Sequence, residues 1–159
     1  MRLSEVFLAL GEDNFHQLLR SVSIGKLKTF QLYERLKLRF HLAKMNSESL
    51  RKAAPRFWER LKEDDAGDFA ADLSQAILVG HLDMIIAVLD FLKIPHEDGF
   101  FAKDMDASQY LTEGWQQRVY DRFQSTWPPA VLLFYINHLG WEMAKTEQAF
   151  LPALAEPRA

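Results

Sequence analysis

Tyr135, Asn137 and His138 are the residues whose types and spacing come closest to a chemical site. They lie in the stretch Val131–Trp141, where Asn137 and His138 are the strongly polar positions of an otherwise apolar helix pattern. A buried imidazole can act as a base or hold a ligand. A histidine at the edge of a core, bonded to a backbone carbonyl, explains the same pattern more simply. We therefore take the three as a candidate small-ligand pocket and predict no catalytic role for them.

A cluster of carboxylates, Asp64-Asp65-Ala66-Gly67-Asp68, would suit a hard cation such as Mg²⁺. Its spacing resembles the aspartate-rich motif with which helical isoprenoid synthases hold magnesium and diphosphate. Those enzymes are much longer and carry a second metal motif, which this sequence lacks, and Gly67 interrupts the helix that would present the carboxylates together. We expect a solvated turn with acidic groups near helix N-termini, and neither a metal nor a cofactor.

No other catalytic signature is found, since the sequence lacks a nucleophile elbow, a phosphate loop and zinc-ligand spacing. With no cysteine among its 159 residues, the chain needs no oxidising compartment, which favours the cytoplasm. The longest apolar run, Ala130–Ile136, is far shorter than the roughly 20 residues of a membrane-spanning helix. These observations predict a cytoplasmic protein that is not an enzyme and has no membrane partner.

The charges are strongly segregated along the chain. Residues 1–62 hold 13 of the 19 Lys and Arg but 6 of the 22 acidic residues, so the remaining residues are strongly acidic. The segment 20–62 alone contains 12 basic and 3 acidic residues. Such segregation is typical of a surface that binds a polyanion, or of two halves that neutralise each other within one fold.

The stretch Asn14–Arg39 resembles a helix-turn-helix motif, which implies DNA binding. His16 and Arg20 stand where that motif has apolar residues, and the predicted helix Lys26–Met45 is apolar on two faces, whereas a recognition helix exposes one face to the groove. We therefore keep nucleic-acid binding as an alternative. It would use eight candidate contacts, namely Lys26, Lys28, Lys37, Arg39, Lys44, Arg51, Lys52 and Arg56.

Sparse Gly and Pro between periodic stretches predict an all-α fold, a compact bundle of about eight helices. The predicted helices are Ser4 to Gly11, Asn14 to Ser23, Lys26 to Met45, one from Ser47 that bends or restarts at Pro55, Phe69 to Val79, Leu82 to Ile94, Ser108 to Gln124, and one from Trp127 onward. A similarity between Ile24–Leu27 and Val79–Leu82 raises stacked helical hairpins as one form of the bundle. In the long loop Pro95–Ala107, Phe100 and Phe101 are expected to pin the loop to the core.

We interpret residues 1–151 as a single all-helical domain with a frayed tail, 152–159. By elimination, the sequence favours a non-catalytic protein that binds a protein partner or a second copy of itself. Nucleic-acid binding through residues 20–62 and small-ligand binding in a helical pocket are the alternatives.

Overall fold

The fold was analysed in a computed structural model that describes residues 2–21, 47–101 and 106–152. The described ranges contain seven α-helices, one short 3₁₀ helix and no strand, which confirms the all-α class. The α-helices are α1 (Leu3–Ala9), α2 (Glu12–Ser21), α3 (Ser47–Leu61), α4 (Gly67–Val79), α5 (Leu82–Phe91), α6 (Trp115–Phe123) and α7 (Pro129–Ala144). The helix predicted over Lys26–Met45 lies outside the described residues.

The centre of the core is α7, as its apolar sequence predicts. Every residue from Ala130 to Gly140 is buried, because α1, α2 and α6 pack around it. Phe134 stacks against Phe7 of α1 with ring centroids 4.6 Å apart, and Phe7 in turn meets Phe15 of α2 edge to face. Stacked and edge-to-face aromatic pairs of this kind join the three helices into one apolar cluster.

The structure corrects the predicted start of α6 and one of the two alternatives predicted at Pro55. The helix predicted from Ser108 is a single 3₁₀ turn, Ser108–Tyr110, and α6 begins only at Trp115. Gly114, with φ +79°, adopts the left-handed backbone that interrupts the helix. Conversely, α3 runs unbroken through Pro55, so it does not restart there, although the proline ring removes one helical hydrogen bond; the predicted bend stays a prediction.

The segment after α7 folds back onto that helix. Asn137 Nδ2 donates to the carbonyl oxygens of Leu133, at 2.9 Å, and Phe150, at 3.0 Å, while Asn137 Oδ1 accepts from the Phe150 amide at 2.6 Å. Gly140 permits the return, because a Cβ there would lie 3.1 Å from Thr146 Oγ1. A buried amide whose donors and acceptor are used in this way anchors backbone that would otherwise be solvated.

Among the described helices, none by itself combines the length and the apolar composition needed to cross a membrane. The pair α4 and α5 passes that test jointly, but the two helices meet at an angle of 83° and supply much of the buried core. The single-domain division and the stacked-hairpin arrangement stay predictions.

Candidate functional site

A largely apolar groove of about 480 Å³ runs between α4 and α7 and is closed at one side by α5 and the turn that follows it. We call this the α4–α7 groove. Its volume lies in the range of small-ligand sites and of pockets that receive a partner's side chains. It is lined by Leu3, Ala71, Ser74, Gln75, Leu78, Val79, Leu82, Ile85, Gly99, Phe100, Phe101, Tyr135, His138, Leu139, Trp141 and Glu142.

Helical periodicity explains how residues far apart in sequence meet here. On α4, Ala71, Ser74 and Leu78 are spaced by three and four residues and so share one face. On α7, Tyr135, His138 and Glu142 are spaced in the same way. The groove forms where these two faces oppose each other across the space between the helices.

His138 is more deeply buried than Glu142, a second described lining residue that can gain or lose charge near neutral pH. Its side chain is 11% exposed, and its ring lies 5.8 Å from the rings of both Phe134 and Trp141. Burial in these apolar surroundings lowers the pKa of His138 to about 4, so the imidazole is neutral at physiological pH. A neutral imidazole can donate one hydrogen bond and accept another.

Glu142 supplies the negative charge of the groove. Its Oε2 lies 3.5 Å from His138 Nδ1, and its side chain is 47% exposed. Partial burial raises the pKa of Glu142 above its usual value, because burial removes water that would stabilise the charged carboxylate. Burial also raises the pKa of the Tyr135 phenol, which keeps that group protonated.

Ser74 contributes a polar group that the core does not use. Its side chain is buried, and its Oγ makes no hydrogen bond with any described residue. Because Ser74, His138 and Glu142 all border the groove, they have the composition of a nucleophile, a base and an orienting acid. The contact between nucleophile and base that defines such a triad is missing, since Ser74 Oγ has no bond to His138.

The turn at the groove mouth holds an exposed aromatic side chain. Phe100 is 60% exposed, so the prediction that it pins the loop to the core is wrong, while Phe101 is partly buried against the core. Gly99, with φ +91°, lies close to side chains of α5, and a short backbone bridge joins Glu97 to Phe100. The mouth therefore presents an apolar ring to solvent beside an apolar groove.

His96 fixes this turn. The Gly99 amide donates to His96 Nδ1 at 3.0 Å, so Nε2 carries the ring proton and donates to Asp90 Oδ1 at 2.7 Å. The ring thus links the end of α5 to the backbone just before Phe100.

Replacing His96 with alanine should loosen the turn, because the Gly99 amide then loses its acceptor. We expect amide hydrogen exchange at Gly99 to become at least tenfold faster, with about 1 kcal/mol lost from the free energy of unfolding. Exchange measured by NMR checks this. Asp90→Asn is the matched control, since it keeps an oxygen acceptor for Nε2 and should leave Gly99 nearly unchanged. Equal exchange rates in H96A and the wild type would contradict the role of His96.

Two of the three residues predicted from sequence to form a pocket lie in the groove. Tyr135 and His138 line the groove, whereas Asn137 is not among its lining residues and uses its amide to hold Phe150. Reasoning from sequence missed Ser74 and Glu142. The spacing of Glu142 from His138, one helical turn, was the available signal for the second of these.

The candidate nucleic-acid contacts are described only at one end. Lys52 and Arg56 are both exposed and lie four residues apart on one face of α3. Arg51 belongs to α3, but its side chain lies outside the described residues, as do Lys26, Lys28, Lys37, Arg39 and Lys44 entirely. That alternative stays a prediction.

The aspartate cluster forms an exposed turn, as expected. Asp64, Asp65 and Asp68 are exposed between α3 and the first turn of α4, and Asp65 Oδ1 accepts from Arg60 Nη1 at 2.8 Å. Over residues 2–21, 47–101 and 106–152, no three His, Asp or Glu side chains are grouped to hold a metal ion.

Comparison of the chain with protein-family models, with curated proteins and with solved structures finds no match.

Proposed function

We propose that this chain is a non-catalytic protein-interaction module that receives the apolar face of a partner helix in the α4–α7 groove. The observation that carries the proposal is the apolar groove with the exposed ring of Phe100 at its mouth. Grooves between packed helices bind amphipathic helices through side chains spaced three and four residues apart. Exposed aromatic rings beside such grooves commonly supply much of the binding energy.

The rigidity of the walls supports this proposal. Leu139 of α7 and Ile85 of α5 are buried, and the helices that carry them belong to the continuous core. A preformed groove loses little conformational entropy when a partner binds, which leaves more of the apolar contact available as affinity. A cytoplasmic location, inferred from the cysteine-free composition, stays a prediction.

A labelled amphipathic peptide of leucine and lysine, about 15 residues or four helical turns long, tests the proposal. We expect it to bind more tightly than a scrambled peptide of the same composition, because scrambling keeps the charge but removes the continuous apolar face. Phe100→Ser should weaken binding about tenfold, which corresponds to roughly 1.4 kcal/mol. Fluorescence anisotropy measures both effects.

Leu151→Ser is the matched control, because Leu151 is also exposed, at 53%, but is not among the groove-lining residues. Equal affinity for the two peptides, or equal losses in the two variants, would overturn the proposal. Light scattering over a range of protein concentrations separates one further outcome. A concentration-dependent mass increase that Phe100→Ser abolishes would assign the groove to a second copy of the chain instead of a foreign partner.

A further inference from the structure

Acidic side chains outnumber basic ones around the α4–α7 groove among the described residues. With His138 neutral, Glu142 is the one charged side chain among the described residues that line the groove, which exclude residues 102–105. Glu97 and Asp98, both exposed, directly precede the Gly99–Phe100 turn at the mouth. Lys145 and Glu147 border Glu142 in an adjoining depression, where their opposite charges offset each other. The described rim is therefore acidic.

The position of Glu142 allows its negative charge to distinguish a cationic from an anionic partner. Its carboxylate lies where the apolar wall reaches solvent, beside His138 and the ring of Trp141. A cation there would gain an ion pair with Glu142, whereas an anion would be repelled. The partial burial of the carboxylate strengthens both effects relative to a fully solvated group.

We propose that the groove selects a partner whose apolar face carries a cationic side chain, Lys or Arg, placed to pair with Glu142. This inference rests on the proposed function and adds the chemistry of the partner. The occupant is then a basic amphipathic helix. A helix whose polar flank is acidic would bring like charges to Glu142, Glu97 and Asp98 and would be rejected.

Three small probes with the same apolar group test the charge preference directly: 3-phenylpropylamine, 3-phenylpropanol and 3-phenylpropanoate. Their affinities are measured by NMR titration of the full chain, with the Trp141 indole N–H as the reporter. We expect the amine to bind about fivefold more tightly than the alcohol, as for a partly exposed ion pair, and the acid to bind more weakly than either.

Glu142→Gln should make the amine and the alcohol bind equally while leaving the affinity for the alcohol unchanged. Glu113→Gln removes one charge from an exposed residue that is not among the groove-lining residues and should preserve the fivefold preference. Equal affinities for amine and alcohol in the wild type would overturn the charge inference and leave the groove proposal intact. Failure of all three probes to shift any groove resonance would overturn both.

Discussion

Replacing Phe134 with alanine should lower the free energy of unfolding by about 3–5 kcal/mol. The ring is fully buried in the middle of α7 and stacks on Phe7 at 4.6 Å, so its removal leaves a cavity where α1 and α7 meet. Domains of this size are commonly stable by about 5–15 kcal/mol, and this one substitution would therefore consume a large part of the total.

Urea unfolding followed by circular dichroism measures the loss. Phe100→Ala is the matched control, because the same ring is removed from an exposed position and should change stability by no more than about 0.5 kcal/mol. A loss below about 1 kcal/mol for Phe134→Ala would show that the α1–α7 contact is not part of the core.

Stability should also depend on pH through His138. Burial lowers the pKa of the folded His138 to about 4 from the ordinary value of 6.5. As the pH falls below 6.5, the unfolded chain takes up a proton that the folded chain does not, so the contribution to stability is complete above that value and is lost toward pH 4. Between about pH 7 and pH 5, we expect the free energy of unfolding to fall by about 2 kcal/mol.

Two partly buried groups also modify this profile. Partial burial lowers the pKa of His81, which adds to the loss in the same direction. The raised pKa of Glu142 acts in the opposite direction, because the folded state holds that proton more readily and regains some stability at the acid end. The described residues that face His138 across the groove from α4, Ser74 and Gln75, carry no charge.

Urea unfolding at several pH values, compared between the wild type and His138→Gln, isolates the contribution of His138. Glutamine keeps a neutral polar group of similar size and cannot titrate, so its profile should be flatter by about 2 kcal/mol over the same pH range. Parallel profiles in the two proteins would show that His138 is solvated in the folded state and that its pKa is not lowered.

The sequence predicts the helical class and the central position of α7 well, because both follow from local patterns. Eleven consecutive buried residues, Ala130 to Gly140, include Asn137 and His138 as the strongly polar positions, and a helix that is apolar on most of its surface has to be surrounded by others. The prediction of a helix from Ser108 was also wrong because of the local sequence. Gly114 lies inside the predicted helix, and glycine there allows the left-handed backbone that ends it, but helical periodicity does not show whether a glycine adopts that conformation.

The groove itself could not be predicted, because it depends on which helix faces oppose each other. Helical periodicity places Ser74 and Leu78 on one face of α4, and His138 and Glu142 on one face of α7, but it does not say that these faces meet. The turn before Phe100 is held by hydrogen bonds of His96 to Asp90 and Gly99, and no known sequence motif predicts these bonds.

The link between Asn137 and Phe150 bears on the order in which the chain folds. The Asn137 side chain bonds the Phe150 backbone through both Nδ2 and Oδ1. Its Nδ2 also donates to the Leu133 carbonyl one turn earlier, so this arrangement requires α7 to be formed. We therefore expect the segment 145–152 to dock after α7 has formed, and its release to be a local opening that leaves the aromatic cluster of α1, α2 and α7 in place.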